Sequence, residues 1–372
     1  MTFKEAMEHY RAGTASTEER QLVEQELEKS QLIAEYLDEQ WDDRITAPAA
    51  PMEEIKQVRK SLRRRNALIV LTSLVLAAAI LLGVVYIGIP AAESLYWNPA
   101  TTSYGTEYCT DLELMLAAYT ELFCPEINIA GVTESKSGFA SYDISIRYWD
   151  AYRGGDIIFV NSTIEKGKLE LPMGSLTHCA INIFDRATYP FYGADESKQQ
   201  SVYDKLSSLP DYVTVVAAVS FPEDKTIEEI LAFQNSLTGG EIGWAAIRTS
   251  PLDQQVLPLC GMSISHWGSV RKEVNDYYPC FEMKTPENTP ENLEAHFKSL
   301  LRFSADQVAK GTGIPEEYQT GRCFYTDALQ YVEENGIYSY GCYVRGTPET
   351  FLALIESGAV SQVRIADIWI GF

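Results

Sequence analysis

The sequence predicts three parts: a small all-α cytoplasmic domain, one transmembrane helix, and an extracytoplasmic α+β domain with repeated βαβ (ferredoxin-like) units. Three observations carry this. From Asn66 to Ala92 there is no charged side chain, 27 residues in a row. Before that stretch apolar residues recur at helical spacing, and after it strand-like and helical patterns alternate. All seven cysteines lie beyond it. The 46% hydrophobic and 22% charged content is globular and excludes general disorder. With 30 basic against 52 acidic side chains the net charge is −22, which excludes a generic nucleic-acid binder.

The N-terminal part, residues 1–45, reads as short helices. Thr2-Phe3-Lys4-Glu5 is a capping box opening a helix that stops at Gly13. Ser16-Thr17-Glu18-Glu19 is a second, followed by a longer helix to about Asp43. Its apolar residues Leu22, Val23, Leu27, Ile33, Tyr36, Leu37 and Trp41 form one stripe on an otherwise charged helix. So short a segment buries little by itself, and its stripe is available to a partner. Residues 46–66 are a Pro-containing linker and a basic juxtamembrane helix.

The membrane span is placed at 67–89, roughly 34 Å of helix and long enough for the hydrocarbon core. Pro90 is expected to end it. A cleaved signal peptide fits poorly, because helical patterns precede the apolar run. Lys56, Arg59, Lys60, Arg63, Arg64 and Arg65 come before the span, and Glu93 is the first charge after it. Lys and Arg stay on the cytoplasmic side, so the N-terminus should be inside and the C-terminal domain outside. Tyr86, Tyr96 and Trp97 sit where an outer aromatic belt would lie.

Residues 93–200 form a membrane-proximal α+β region and 201–372 a βαβ-repeat domain. Thr110-Asp111-Leu112-Glu113 caps a helix with Leu112, Met115, Leu116 and Tyr119 at core spacing. Cys109 and Cys124 bracket this helix, too far apart to pair. Strands are expected at 142–148, 156–160 and 177–184, and a helix near 197–208. Val213 to Ser220, a capped helix from Thr226, and Ile242 to Arg248 make one βαβ unit. A helix at 292–310 follows. Tyr338, Tyr340, Cys342 and Val344 then alternate with Ser339, Gly341, Tyr343 and Arg345 as a half-buried strand. A helix capped by Thr347 and a return strand at 360–370 complete the second unit. Two such units suggest a split-βαβ, ferredoxin-like arrangement. The helix rising to about 335 and the strand descending from 337 bring Cys323 and Cys342 together as a disulfide candidate.

Two resemblances follow from particular runs. Tyr10-Arg11-Ala12-Gly13-Thr14-Ala15-Ser16-Thr17-Glu18-Glu19-Arg20-Gln21-Leu22-Val23-Glu24-Gln25-Glu26-Leu27 resembles the anti-sigma domain of membrane-anchored anti-sigma factors. Where zinc-binding members carry one His and two Cys, this chain has Glu26, Ser30 and Ile33, so the resemblance implies a zincless member without a metal or other cofactor. Leu209-Pro210-Asp211-Tyr212 with the strand after it, Thr226-Ile227-Glu228-Glu229-Ile230, Gly243-Trp244-Ala245-Ala246-Ile247-Arg248-Thr249 and Thr347-Pro348-Glu349-Thr350 resemble the sigma factor regulator C-terminal domain of Firmicute membrane anti-sigma factors.

Catalytic patterns are missing. No His-Glu-x-x-His, Cys-x-x-Cys or Gly-x-Ser-x-Gly occurs among the 372 residues, and only four histidines are present. His178 and Cys179 are adjacent on an expected strand, so their side chains face opposite ways. Ser265-His266 falls in a loop, and His296 is expected at the rim of a helix's apolar stripe. No enzyme is implied.

The resemblances together imply a single-pass membrane anti-sigma factor. Its stripe (Leu22, Val23, Leu27, Ile33, Tyr36, Leu37, Trp41) would hold an extracytoplasmic-function sigma factor. An envelope signal, through a second membrane protein or a protease, would release it. No direct contact with nucleic acid is expected. The rival is a membrane-anchored extracytoplasmic binding protein with a non-signalling tail; an outward-facing hydrolase is a more distant one.

Overall fold

The computed structural model describes residues 3–42, 52–102, 110–170, 184, 196–251, 259–265, 276–281, 288–311 and 324–370. They form two compact units, Met1–Val84 and Val85–Phe372.

In the first unit α1 (Phe3–Arg11) and α2 (Thr17–Asp42) make a helical hairpin. Gly13 supplies the left-handed turn at φ 73°. The second capping box forms as expected: the Ser16 amide donates to Glu19 Oε2 at 2.7 Å, and the Glu19 amide to Ser16 Oγ at 3.3 Å. Helix α3 (Met52–Gly83) carries the basic run into the apolar stretch. The helical segment Lys56–Glu93 is long and apolar enough to cross a membrane, with mean hydropathy 2.9 and no residue of that apolar window buried.

Pro90 does not end this helix. Its ring would collide with the carbonyl four residues back. A π-helical turn, Val84–Gly88, widens the backbone just before it, and the helix goes on as α4 (Ile89–Glu93) with Pro90 in the first turn. At its end Glu93 receives Lys136 Nζ at 2.6 Å and the Ala140 amide at 3.3 Å, and Tyr96 meets Phe139 edge-on at 6.0 Å.

The second unit centres on α5 (Asp111–Phe123), capped by Thr110, with 12 of its 13 residues buried. A four-stranded antiparallel meander packs on it: β1 (Ile127–Gly138), β2 (Ser141–Asp150), β3 (Gly154–Glu165) and β4 (Lys168–Glu170). Ile129, Val132, Ile144, Ile146, Val160 and Ile164 form its inner face. Strand β1 was not expected, because Gly131 and a polar second half blur its alternation. The expected strand at 177–184 lies outside the described residues except for Phe184, which is buried.

After α6 (Glu196–Ser207) comes a five-stranded antiparallel sheet. Its elements are β5 (Val213–Thr226), α7 (Ile227–Ser236), β6 (Gly240–Ile247), β7 (Gly261–Ser263), α8 (Pro290–Ala309), α9 (Phe324–Asn335), β8 (Tyr338–Gly346), α10 (Pro348–Glu356) and β9 (Gln362–Ile370). The strand order is β7-β6-β8-β5-β9. Each βαβ unit is therefore split. β8 lies between β5 and β6, and β5 lies between β8 and β9. Both helix caps appear as expected: Thr226 with Glu229 as a full capping box, and Thr347 ahead of Pro348.

One sheet face joins the helices through Val215, Ala217, Val219, Cys342 and Val344. The other holds Val216, Ala218, Trp244, Tyr340 and Tyr343, covered by Tyr152 and Phe184. β8 is thus buried on both faces, not half-buried. Both neighbouring registers skip Tyr340, and this bulge turns its ring to the Tyr343 side.

Candidate functional site

Two places in the described residues hold side chains in arrangements that packing alone does not explain. One is the face of α2. Ala6, Ala15 and Val23 are buried where α1 and α2 meet, so Val23 belongs to the hairpin and leaves the expected docking stripe. Leu22, Leu27, Ile33, Tyr36 and Leu37 remain between 43% and 60% exposed. Leu32, absent from the expected stripe, is as exposed as they are and stands one turn before Tyr36. Trp41 lies in α2, but its side chain is outside those described. His9 Nδ1 and Glu19 Oε1 meet at 2.9 Å, tying α1 to the start of α2. The Ser16 amide, and then His9, hold the Glu19 carboxyl below its usual range. At the positions resembling a zinc set, Glu26 Oε1 pairs with Lys29 Nζ at 2.6 Å, and no metal-ligand cluster forms among the described residues.

The other place is a small cleft in the second unit that opens to solvent. The end of α5 contributes Glu121 and Cys124, β1 contributes Ile127 and Asn128, and the β2–β3 turn contributes Ala151 and Tyr152. The large sheet supplies Glu241, Gly243, Trp244, Ser263, Ser265 and Arg345. Gly243 is needed here: a Cβ would fall 2.4 Å from the Tyr152 ring, which lies over β6 and stacks on Tyr343 at 5.9 Å.

Glu121, one of the residues lining this cleft, is held from several sides. The Trp244 indole N–H donates to its backbone carbonyl at 2.7 Å, and the Ser263 amide to Oε1 at 3.3 Å. His296 Nε2 meets Oε1 at 2.7 Å, and both side chains are 2% exposed. His296 Nδ1 donates to the Cys280 carbonyl at 2.8 Å. A carbonyl only accepts, so Nδ1 carries a hydrogen, while Nε2 and Oε1 hold a second between them. Burial pulls the His296 imidazole down, but the charge and hydrogen bond of Glu121 and the Cys280 carbonyl outweigh it and raise it above its usual range. Burial likewise raises the Tyr152 phenol. His296 is thus a core residue and not a rim residue. The apolar stripe of α8 reaches it, and a partner 175 residues away fixes it.

His178 and His266 lie outside the described residues, as does Cys323. Cys342, the other half of the expected disulfide, is a buried free thiol on the central strand, and burial pushes it well up.

The five-stranded sheet with its helices is also the part with a known relative. Residues 206–367 match the sigma factor regulator C-terminal family. The family is regulatory rather than catalytic, and it implies a sigma factor as partner in general terms. Together with one helix fit to cross a membrane, it suits a membrane protein. No curated protein and no solved structure shows significant similarity to the chain. The match covers Glu241, Gly243, Trp244, Ser263, Ser265, His296 and Arg345; Glu121 and Tyr152 come from the segment before it.

Proposed function

We propose that the chain is a single-pass membrane anti-sigma factor whose N-terminal hairpin, on the cytoplasmic side, holds an extracytoplasmic-function sigma factor. The contact surface is Leu22, Leu27, Ile33, Tyr36 and Leu37, extended by Leu32 and towards Trp41. The observation that carries this reading is a sigma factor regulator domain in the same chain as a helix with several exposed large apolar side chains on one run. Acidic residues dominate the rest of α2, which suits a basic DNA-binding partner and speeds encounter. The basic run 56–65 ahead of the span supports the inward placement of the N-terminus. The C-terminal unit, whose strand order fits two interlocked split βαβ units of ferredoxin-like type, is the envelope sensor. Release passes through a second membrane protein or a protease.

The test is co-purification of the full-length chain from membranes with each extracytoplasmic-function sigma factor of the cell. A one-to-one complex with one of them is expected. Changing Leu27, Ile33 and Leu37 together to Asp removes roughly 2 kcal/mol of apolar burial per site, so the complex should vanish and target transcription rise. A variant that still binds, or a wild-type chain that binds none, ends this reading.

A further inference from the structure

Several parts of the second unit come together where the apolar helix ends. Glu93, its last residue, receives Lys136 Nζ at 2.6 Å and the Ala140 amide at 3.3 Å, which fastens the β1–β2 turn to it. In an antiparallel meander the β3–β4 turn lies at the same end. There the Lys166 amide donates to the Ala140 carbonyl at 2.8 Å. A Cβ on Gly167 would fall 3.2 Å from the Trp97 backbone nitrogen, so this turn lies directly against the chain that leaves the helix. Two turns and residues 94–97 thus make one tip.

The side chains of that tip are of two kinds. Leu95 is 83% exposed and Phe139 44%, and the half-exposed Tyr96 meets Phe139 edge-on at 6.0 Å. Beside them Lys136, Lys166 and Lys168 are exposed, three cations in one place on a chain of net charge −22. Of the carboxylates there, Glu93 is taken by Lys136, and Glu165 stands opposite Lys168 in the β3–β4 pair. Aromatic rings settle at the boundary between headgroups and acyl chains, and a lysine ammonium on its long stem reaches lipid phosphates. The helix leading into the tip has no residue of its apolar window buried, and Tyr86 and Ile87 near its end are fully open. The apolar surface of the tip therefore continues the surface that a bilayer would cover.

We propose that this end of the meander docks on an anionic lipid surface, with Leu95, Tyr96 and Phe139 in the headgroup layer and Lys166 and Lys168 on lipid phosphates. This rests on the reading of the helix as a membrane span and not on the sigma-factor partner. Lys136 is left to hold Glu93.

The experiment uses the full-length chain with a trifluoromethyl group placed on the Phe139 ring, in nanodiscs of phosphatidylglycerol with phosphatidylcholine. A lipid with a nitroxide just below its headgroup should broaden the fluorine signal, and a water-soluble nitroxide should leave it sharp. Discs of phosphatidylcholine alone, or Lys166→Gln combined with Lys168→Gln, should weaken the lipid-induced broadening at least about threefold. Both lysines are exposed in a turn held by backbone contacts, so the variant keeps its fold. Broadening by the soluble nitroxide and not by the lipid overturns the proposal. So does equal broadening with and without anionic lipid and the two lysines. Co-elution of the chain with the discs separates failure of the tip from failure of the span. In native membranes a benzoyl group on the same ring should crosslink on illumination to phospholipid, and a protein adduct in its place also overturns the proposal.

Discussion

Among the described side chains of the N-terminal hairpin three apolar ones are buried, Ala6, Ala15 and Val23. In the second unit a single helix, α5, buries twelve residues by itself. Both helices have apolar faces, so the difference lies in what comes to meet them. Around α5 the chain supplies a meander, a β-strand of the large sheet and helix α8. Around α2 the described residues supply α1, with His9 of its last turn reaching Glu19. A helix with its face covered is a structural element whose mutations unfold the molecule. A helix with its face open keeps its shape through local caps and i, i+4 pairs, and its mutations are felt by whatever docks there.

The largest expected effect that separates the two regions concerns His296. Replacing it with Ala leaves the Glu121 carboxylate buried without its partner, at a cost of about 3–5 kcal/mol. Unfolding of the second unit, followed by near-UV circular dichroism, should shift accordingly, with the hairpin unaffected. The pair also sets a pH dependence. The folded-state pKa of His296 is raised above its ordinary 6.5, so its stabilisation is fully present below that value and fades as pH rises through the folded one. Wild type should lose Tm from pH 6 towards alkaline pH, and His296→Gln should show a flatter profile. Equal slopes would assign the proton elsewhere.

Next comes a matched pair of truncations. Leu116→Ala, in the core of α5, should cost about 3 kcal/mol. Leu27→Ala, on the open face of α2, should change stability by less than about 0.5 kcal/mol. Comparable losses from urea denaturation would mean that α2 is covered within the chain, and the comparison would fail. The smallest effect is local. Ser16→Ala removes the cap of α2 and should destabilise the hairpin by about 1 kcal/mol, seen as lost helicity at 222 nm with the β-rich unit unchanged.

What the sequence made legible was local. The caps at Ser16, Thr110, Thr226 and Thr347 each rest on residues three apart, and each formed as read. The β-branched run of β5, the return strand β6 and the apolar stripes of α8 and α10 were equally plain. The pairing of strands was not: nothing near β5 says that β8, more than a hundred residues later, comes between it and β6. The same holds for the cleft. The pattern of residues singles out nothing at Glu121 and places His296 only beside a stripe, and it is the fold that puts them 2.7 Å apart. Spacing alone puts Val23 in the open stripe, because a helical wheel shows which residues share a face but not how far a neighbouring helix extends along it. Pro90 misled for a related reason: the rule that proline stops a helix omits the π turn that can absorb it.

The hold of Lys136 and Ala140 on Glu93 has one more consequence. The β1–β2 hairpin grips the chain at the very residue where the apolar helix ends, so a pull or twist arriving at Glu93 is felt first by the turn of the meander.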